Sequence, residues 1–522
     1  MHHHGGRDPA TASESPSNTK TTLTIMRQII CSVIFCLPLV CAYGQSSTPK
    51  DISEINPPAV ALAPLRFLAS DELMGRGTTR PEINIAARYI SEAFRSFGLK
   101  EVTGINDYFQ AFEIKFRKPA VAGSFMIAGN SFEMKRSLIA LKGGDITITA
   151  PVIYAKHATE SDLKDIDVKG KIVITDLGET DSTHARQSLN FLFEKKQAML
   201  QRKGAVAVIE RYRATDMSWD ALQQSNAREA RLQQEILIPV LLVNDSSGTL
   251  KNIQGNIEGT LTITGTQIRI VPAKNVMGRV EGTDPKLKNE YIVLSSHYDH
   301  LGVAQQPKME EGKLDSIYNG ARDNAIGSTA VIDAARYFAQ HPPKRSILFI
   351  TYTAEEMGLV GSKYFAEHPP MELKQLVYDL NIDNASYNDT GSITLVGLGR
   401  TSADEDIKRA CAVYGLSILP DPTSGRLFNG SDNLPLAEKG IPAPTFSLGM
   451  KSFDESILKR YHQLSDEVGN FDLSYAMKFI NAFILSAKYI ADDPKQLQWK
   501  KGDQYEAAWE SLHQADLKTK KE

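Results

Sequence analysis

The apolar run Ile347-Leu348-Phe349-Ile350 is followed at once by Thr351-Tyr352-Thr353-Ala354 and then by the adjacent pair Glu355-Glu356. After the pair come Met357-Gly358-Leu359-Val360-Gly361-Ser362. A short unbroken apolar run bounded by turn formers reads as a strand buried in the interior of a sheet. The constraint is chemical as well as structural. Adjacent side chains leave a strand end in different directions, so one carboxylate can bind a metal while its neighbour reaches a water on that metal. A second cluster, Ser296-His297-Tyr298-Asp299-His300, follows another apolar run, Tyr291 to Leu294. Together the two clusters look like the working parts of a metal hydrolase.

From Ala273 onward, strand, loop and helix signals alternate. Strands are expected at Tyr291 to Ser295, Ile347 to Thr351, Leu376 to Ile382, Ile393 to Val396 and Pro444 to Leu448. Helical patterns such as Ala325 to Ala339 and Ala403 to Tyr414 lie between them. This order predicts an α/β fold, a mixed central sheet sandwiched by helices. Helical spacing also marks Ala59 to Leu68 and Ile83 to Phe97, separated by the loop Gly75-Arg76-Gly77-Thr78-Thr79. Between these parts the texture changes. Ile146 to Tyr154, Lys171 to Thr175, Ala205 to Ile209, Pro239 to Val243 and Leu261 to Val271 read as strands, with a charged helix at Asn190 to Lys203. The expected plan is one α/β body from residues 45–111 and 272–497, a β-rich insert at 112–271 and a charged tail at 498–522, read as a surface helix.

At 522 residues the chain can hold two or three domains, and its 42% hydrophobic and 23% charged content is that of an ordinary globular protein. A net charge of −3 favours neither nucleic acid nor an acidic membrane. Residues 1–25, with His at positions 2 to 4, read as a disordered leader. Residues 26–44 carry a basic start, the apolar stretch Ile29 to Val40 and the small-residue site Ala42-Tyr43-Gly44. That order is a secretory signal peptide, too short to span a bilayer comfortably. The expectation is a secreted or periplasmic protein beginning near Gln45, with no membrane span once the signal is removed. Cys31, Cys36 and Cys41 fall inside the signal, so the mature chain keeps only Cys411, read as a buried small hydrophobe.

Ligand-forming residues recur where strands end, which is where open α/β sheets place their sites. His297 follows one strand and Glu355 and Glu356 follow the next. Asp383 ends Asp379-Leu380-Asn381-Ile382-Asp383, and His462 lies beyond the last strand in Arg460-Tyr461-His462-Gln463. Asp323 opens a helix in Asn319-Gly320-Ala321-Arg322-Asp323-Asn324-Ala325. Taken singly, Asp323 reads as a helix N-cap, Asp383 as an Asx-turn, each His as a hydrogen-bonded structural residue and the Glu pair as a solvated surface. Taken jointly, they read as one site. Two His and several carboxylates suit zinc, a borderline ion bound by nitrogen and oxygen.

The stretches Ser296-His297-Tyr298-Asp299-His300-Leu301-Gly302, Asp323-Asn324-Ala325-Ile326-Gly327, Ala354 to Ser362, Asn381-Ile382-Asp383 and Tyr461-His462 resemble the secreted co-catalytic zinc aminopeptidases. That peptidase family also includes glutamate carboxypeptidase and the transferrin receptor. The likeness runs from about Pro57 to about Asp492, and the β-rich insert resembles the protease-associated domain of such enzymes. The resemblance implies two zinc ions per chain. Asp323 would bridge them, His297 and Asp383 would complete one, and Glu356 and His462 the other. Glu355 would be general base and acid, Asp299 would orient His297, and Tyr461 would help hold the oxyanion. It also implies a cis bond between Asp323 and Asn324.

The implied activity is release of N-terminal residues from peptides with a free N-terminus, by a monomer or homodimer. The insert would shape access to the cleft or stabilise a dimer. A glutaminyl cyclase-type acyltransferase, a carboxypeptidase and a non-catalytic binding protein are the alternatives on this scaffold. Loss of ligands would mark the binding protein, and no ligand is lost. Ser431-Asp432-Asn433 stands where many relatives carry Ser-Asp-His, which places Asn433 in the site wall as a candidate modifier of specificity.

Overall fold

A computed structural model describes residues 50–181, 184–213, 216–232, 238–253, 257–310 and 312–514. The leader and signal segments, with Cys31, Cys36, Cys41 and Gln45, lie outside the described residues.

The fold is mixed α/β. Its main sheet runs in the order Ser417–Pro420, Ser392–Val396, Thr445–Leu448, Leu376–Ile382, Tyr291–His297, Ser346–Tyr352, Gln267–Val280, Phe109–Lys118 and Ala230–Arg231. Tyr291–His297 lies between Leu376–Ile382 and Ser346–Tyr352 and is parallel to both. Every residue of Ser346–Tyr352 is buried, as its unbroken apolar run requires. The pleat splits these runs between two cores. Ile292, Leu294, Ile347 and Phe349 face a core shared with the helices Ile326–Gln340 and Leu473–Asp492. Val293, Leu348 and Ile350 face the other, with Phe365, Leu436, Trp499 and Trp509.

An eight-stranded sheet lies within residues 122–264, with central strands Ile146–Tyr154, Ile172–Asp176, Ala207–Arg211 and Val240–Val243. The chain enters and leaves it along Phe109–Lys118 and Gln267–Val280, an antiparallel pair in the main sheet. The expected single strand from Leu261 to Val271 is therefore two. Gly265, at φ +80°, breaks it, and Asp145 accepts hydrogen bonds from the Gly265 and Thr266 N–H groups at 2.9 and 2.7 Å. A left-handed turn there costs glycine little, and it lets the chain pass from one sheet to the other.

Two features were not anticipated. Leu473–Asp492 is a long helix whose Phe479, Ile480, Phe483, Ile484 and Leu485 are all buried. Only a narrow polar face, with Ser474, Lys478, Lys488 and Asp492, reaches the surface. The tail is also more anchored than a surface helix. Trp509 of the helix Glu506–Leu512 is buried, and its indole N–H donates to the Leu497 carbonyl at 3.2 Å. Cys411 is buried as expected, and burial pushes its thiol up to about 12.

Candidate metal centre

Three parallel neighbouring strands end side by side, and their ends bring the candidate residues together. His297 is the last residue of Tyr291–His297, Glu355 and Glu356 follow Ser346–Tyr352, and Asp383 follows Leu376–Ile382. Asp323 joins them from an irregular turn that leads into the helix Ile326–Gln340, and its bond to Asn324 is cis, as the resemblance implied. The turn needs Gly320. A Cβ there would lie 2.2 Å from the Asp323 carbonyl oxygen, and its φ is +57°. His462 reaches the same place from its loop with φ +56°.

Asp323 is central. One carboxylate oxygen lies 3.3 Å from His297 Nε2 and the other 3.1 Å from His462 Nε2. Asp383 Oδ1 lies 3.2 Å from His297 Nε2, and Glu356 Oε2 lies 3.3 Å from His462 Nε2. Glu355 stands slightly apart, with its nearest oxygen 4.0 Å from His297 Nε2. Tyr461 stacks on His462 with ring centres 4.0 Å apart. All eight residues chosen from sequence thus lie in or beside one cluster.

Asp299 differs in detail from the expectation. Its carboxylate is 3.8 Å from His297 Nδ1, while its backbone carbonyl is 3.1 Å away and takes the ring contact. The carboxylate instead accepts from the Thr78 hydroxyl at 2.9 Å and the Glu355 N–H at 3.1 Å. It therefore braces the Glu355 turn, and burial raises its carboxyl to about 6.

Several supporting residues escaped the sequence reading. His300 is buried, with Nδ1 2.7 Å from Glu356 Oε1 and 3.8 Å from Asp323 Oδ2. Its Nε2 has no partner among the described residues. His300, Asp323 and Glu356 form one group of converging donors, and His297, Asp323 and Asp383 form another. The spacing from His297 to His300 was the available signal. Arg76, fully buried, donates to the carbonyls of Tyr298, Asn319 and Gly320 at 2.9, 2.6 and 3.0 Å, and also to that of Leu68. It ties the His297 and Asp323 segments together from behind. Burial lowers its guanidinium to about 10, against the pull of Asp323 and Asp299. Asp466 accepts the Asp323 N–H at 3.1 Å and Arg322 Nη1 at 2.8 Å.

The electrostatics separate the two adjacent glutamates. Burial raises the Glu355 carboxyl well above the usual range, outweighing the His297 charge. Burial and Asp323 also push Glu356 up, but hydrogen bonds from His300 and His462 outweigh them and hold it below its usual value. At Asp323 burial is likewise overcome, by the His300 charge and by hydrogen bonds from His297 and His462, and its carboxyl lies far below normal. Burial opposes the charged form of His462, but hydrogen bonds to Asp323 and Glu356 raise it to about 10. Environments that drive neighbouring carboxyls apart mark different chemical roles.

The cluster lies in the wall of a cleft of about 660 Å³ that is also lined by Ser431, Val396, Phe453 and Tyr461. Asn433, expected in that wall, is fully buried and is not among the lining residues. It begins the helix Asn433–Glu438, and its amide donates to the Ala443 carbonyl at 3.1 Å, which turns it into the core.

Carboxylates and imidazoles crowded at this depth call for a positive charge, and the donor set of oxygens and ring nitrogens is one that zinc accepts. The residues present fit a metal. Residues 275–486 match the model of Peptidase family M28. It is 24% identical over 217 residues to Aminopeptidase YwaD of Bacillus subtilis (strain 168), covering 40% of this chain and 44% of that protein. It is 30% identical over 120 residues to a vacuolar membrane protease of Schizosaccharomyces japonicus (strain yFS275 / FY16936), covering 22% and 12%. The chain thus spans less than half the length of either relative. Among solved structures, the aminopeptidase from Aneurinibacillus sp. strain AM-1 aligns over 87% of this chain and 98% of its own, at 20% identity and a TM-score of 0.49.

Proposed function

We propose that the protein is a two-zinc aminopeptidase acting on peptides with a free N-terminus. The observation that carries this reading is the pair of donor groups sharing Asp323, one with His297 and Asp383 and the other with His300 and Glu356, with Glu355 4.0 Å from His297. His297 and Asp383 with Asp323 would hold one ion, and Glu356 and His462 with Asp323 the other. His300 braces Glu356. When bound, the two ions supply an acidified water and a positive field at the scissile carbonyl.

Glu355 then takes a proton from the attacking water and delivers it to the leaving amine. Asp299 fixes the turn that presents Glu355. The Tyr461 phenol, held flat against His462, donates to the oxygen that gains charge in the tetrahedral state.

The eight-stranded sheet is proposed as the inserted protease-associated module, and residues 26–44 as an export signal. The decisive experiment supplies zinc to the purified protein and offers aminoacyl anilides alongside N-blocked peptides. Cleavage of the anilides with two zinc ions per chain is expected. Cleavage of N-blocked peptides alone would refute the aminopeptidase reading. For the signal, N-terminal sequencing of exported protein should start at or near Gln45, and a retained Met26 segment would count against it.

A further inference from the structure

The cleft holds two cations that the hydrolytic reading leaves unused. Arg426 and Lys363 both line it, and both are exposed to it. The loop that carries Arg426 is tied down from within. Asp421 accepts from the Thr423 N–H and hydroxyl at 2.7 and 2.6 Å and from the Gly425 N–H at 3.1 Å. The Thr423 hydroxyl in turn accepts from the Leu427 N–H at 3.1 Å. Arg426 is therefore presented by ordered backbone.

Its guanidinium pairs with no carboxylate among the described residues. Its side-chain contact is with the Phe453 ring, 5.8 Å away. Phe453 packs edge-on against Tyr461 with centres 5.9 Å apart, and Tyr461 stacks on His462. Two aromatic rings, Phe453 and Tyr461, thus lead in contact from Arg426 to the candidate ligand His462 along the cleft. Lys363 likewise meets no carboxylate among the described residues, and its ammonium donates to the Gly358 carbonyl at 3.1 Å.

Charge balance gives these cations a purpose. The carboxylates lining the cleft are Asp323, Glu355, Glu356 and Asp383. Two divalent ions would offset these four, and neither Arg426 nor Lys363 is paired with any of them among the described residues. A cleft with excess charge of one sign concentrates ligands of the other. Arginine's planar fork matches a carboxylate by two parallel hydrogen bonds.

We infer that this cleft selects short peptides carrying a carboxylate close to the N-terminus, with Arg426 as its anchor and Lys363 as a second cation in the same cleft. This rests on the peptidase reading above. The carboxylate has two possible sources, the acidic side chain of the first residue or the C-terminus of a di- or tripeptide.

The experiment measures kcat/KM of the zinc-loaded protein on Glu-, Asp-, Gln- and Leu-anilides, and on dipeptides with free or amidated C-termini. A charged hydrogen-bonded contact at an accessible guanidinium gives a preference of about tenfold over the matching amide. A high Glu-to-Gln ratio assigns the side chain, and a high free-to-amidated ratio assigns the C-terminus. Whichever ratio is raised should fall to near one in Arg426→Gln, through KM, and invert in Arg426→Glu. Ratios within twofold of one in the wild type, or a preference that survives Arg426→Gln, would overturn the inference and leave the peptidase reading standing. Cleavage of no substrate by zinc-loaded protein would overturn that reading and this inference with it.

Discussion

Asp466→Ala tests how the bridging position is held. Asp466 is fully buried. It accepts the Arg322 N–H at 2.9 Å, the Asp323 N–H at 3.1 Å and Arg322 Nη1 at 2.8 Å. The substitution strips a buried guanidinium of its counter-charge and leaves two backbone N–H groups without their acceptor. Removing one partner of a buried pair costs about 3–5 kcal/mol. Arg322 keeps Asn470 at 2.9 and 2.8 Å and the faces of Tyr387 and Phe471. Those contacts compensate the guanidinium in part, which offsets the added cost of the two orphaned backbone N–H groups, so the total should stay near that range. Asp466→Asn retains an oxygen acceptor and should lose about 1.5–3 kcal/mol, the worth of hydrogen bonds to a charged group. Because the Asp323 backbone hangs from Asp466, zinc affinity should fall in the same order. Urea denaturation of the metal-free proteins gives the first quantity and competition with a chromophoric chelator the second. An Asp466→Ala variant within 1 kcal/mol of wild type, or one with unchanged zinc affinity, would refute this account.

The adjacent glutamates should fail differently. Glu356→Gln should lose metal and activity together, whereas Glu355→Gln should keep zinc while kcat falls about 10²–10⁴-fold; the reverse pattern in zinc per chain and kcat would exchange their roles. His300→Gln removes the imidazole on Glu356 and should weaken zinc binding about 10–100-fold by chelator competition, as loss of a residue that orients a ligand does. Unchanged affinity would leave His300 as core filling. Chelation should abolish hydrolysis, and zinc at 100 times its dissociation constant should add about 2.7 kcal/mol of stability per site in urea melts. Midpoints indifferent to zinc would argue against a resident ion.

The main sheet's central strands were legible because runs such as Ile347 to Ile350 are apolar on both faces, which few other structures accommodate. His297, Glu355, Glu356 and Asp383 were legible because each follows such a run, whereas Asp323 and His462 were read from a helix start and a loop beyond the last strand. The same reasoning failed where a local signal was weak or shared. The helix Leu473–Asp492 is buried on all but a narrow face, and the strand from Leu261 looked continuous because both halves alternate apolar and polar residues while Gly265 alone marks the break.

The sequence by itself thus determined the strand cores and the types of ligand at their ends. Only the tertiary structure decided the company each ligand keeps. His300 against Glu356, Arg76 behind His297 and Asp323, Asp466 beneath Asp323 and the open Arg426 all join segments far apart in the chain. Their meeting depends on strand order and crossover, with Tyr291–His297 held between Leu376–Ile382 and Ser346–Tyr352. Periodicity reports which face of an element is buried, and it carries no information about which distant element packs against that face.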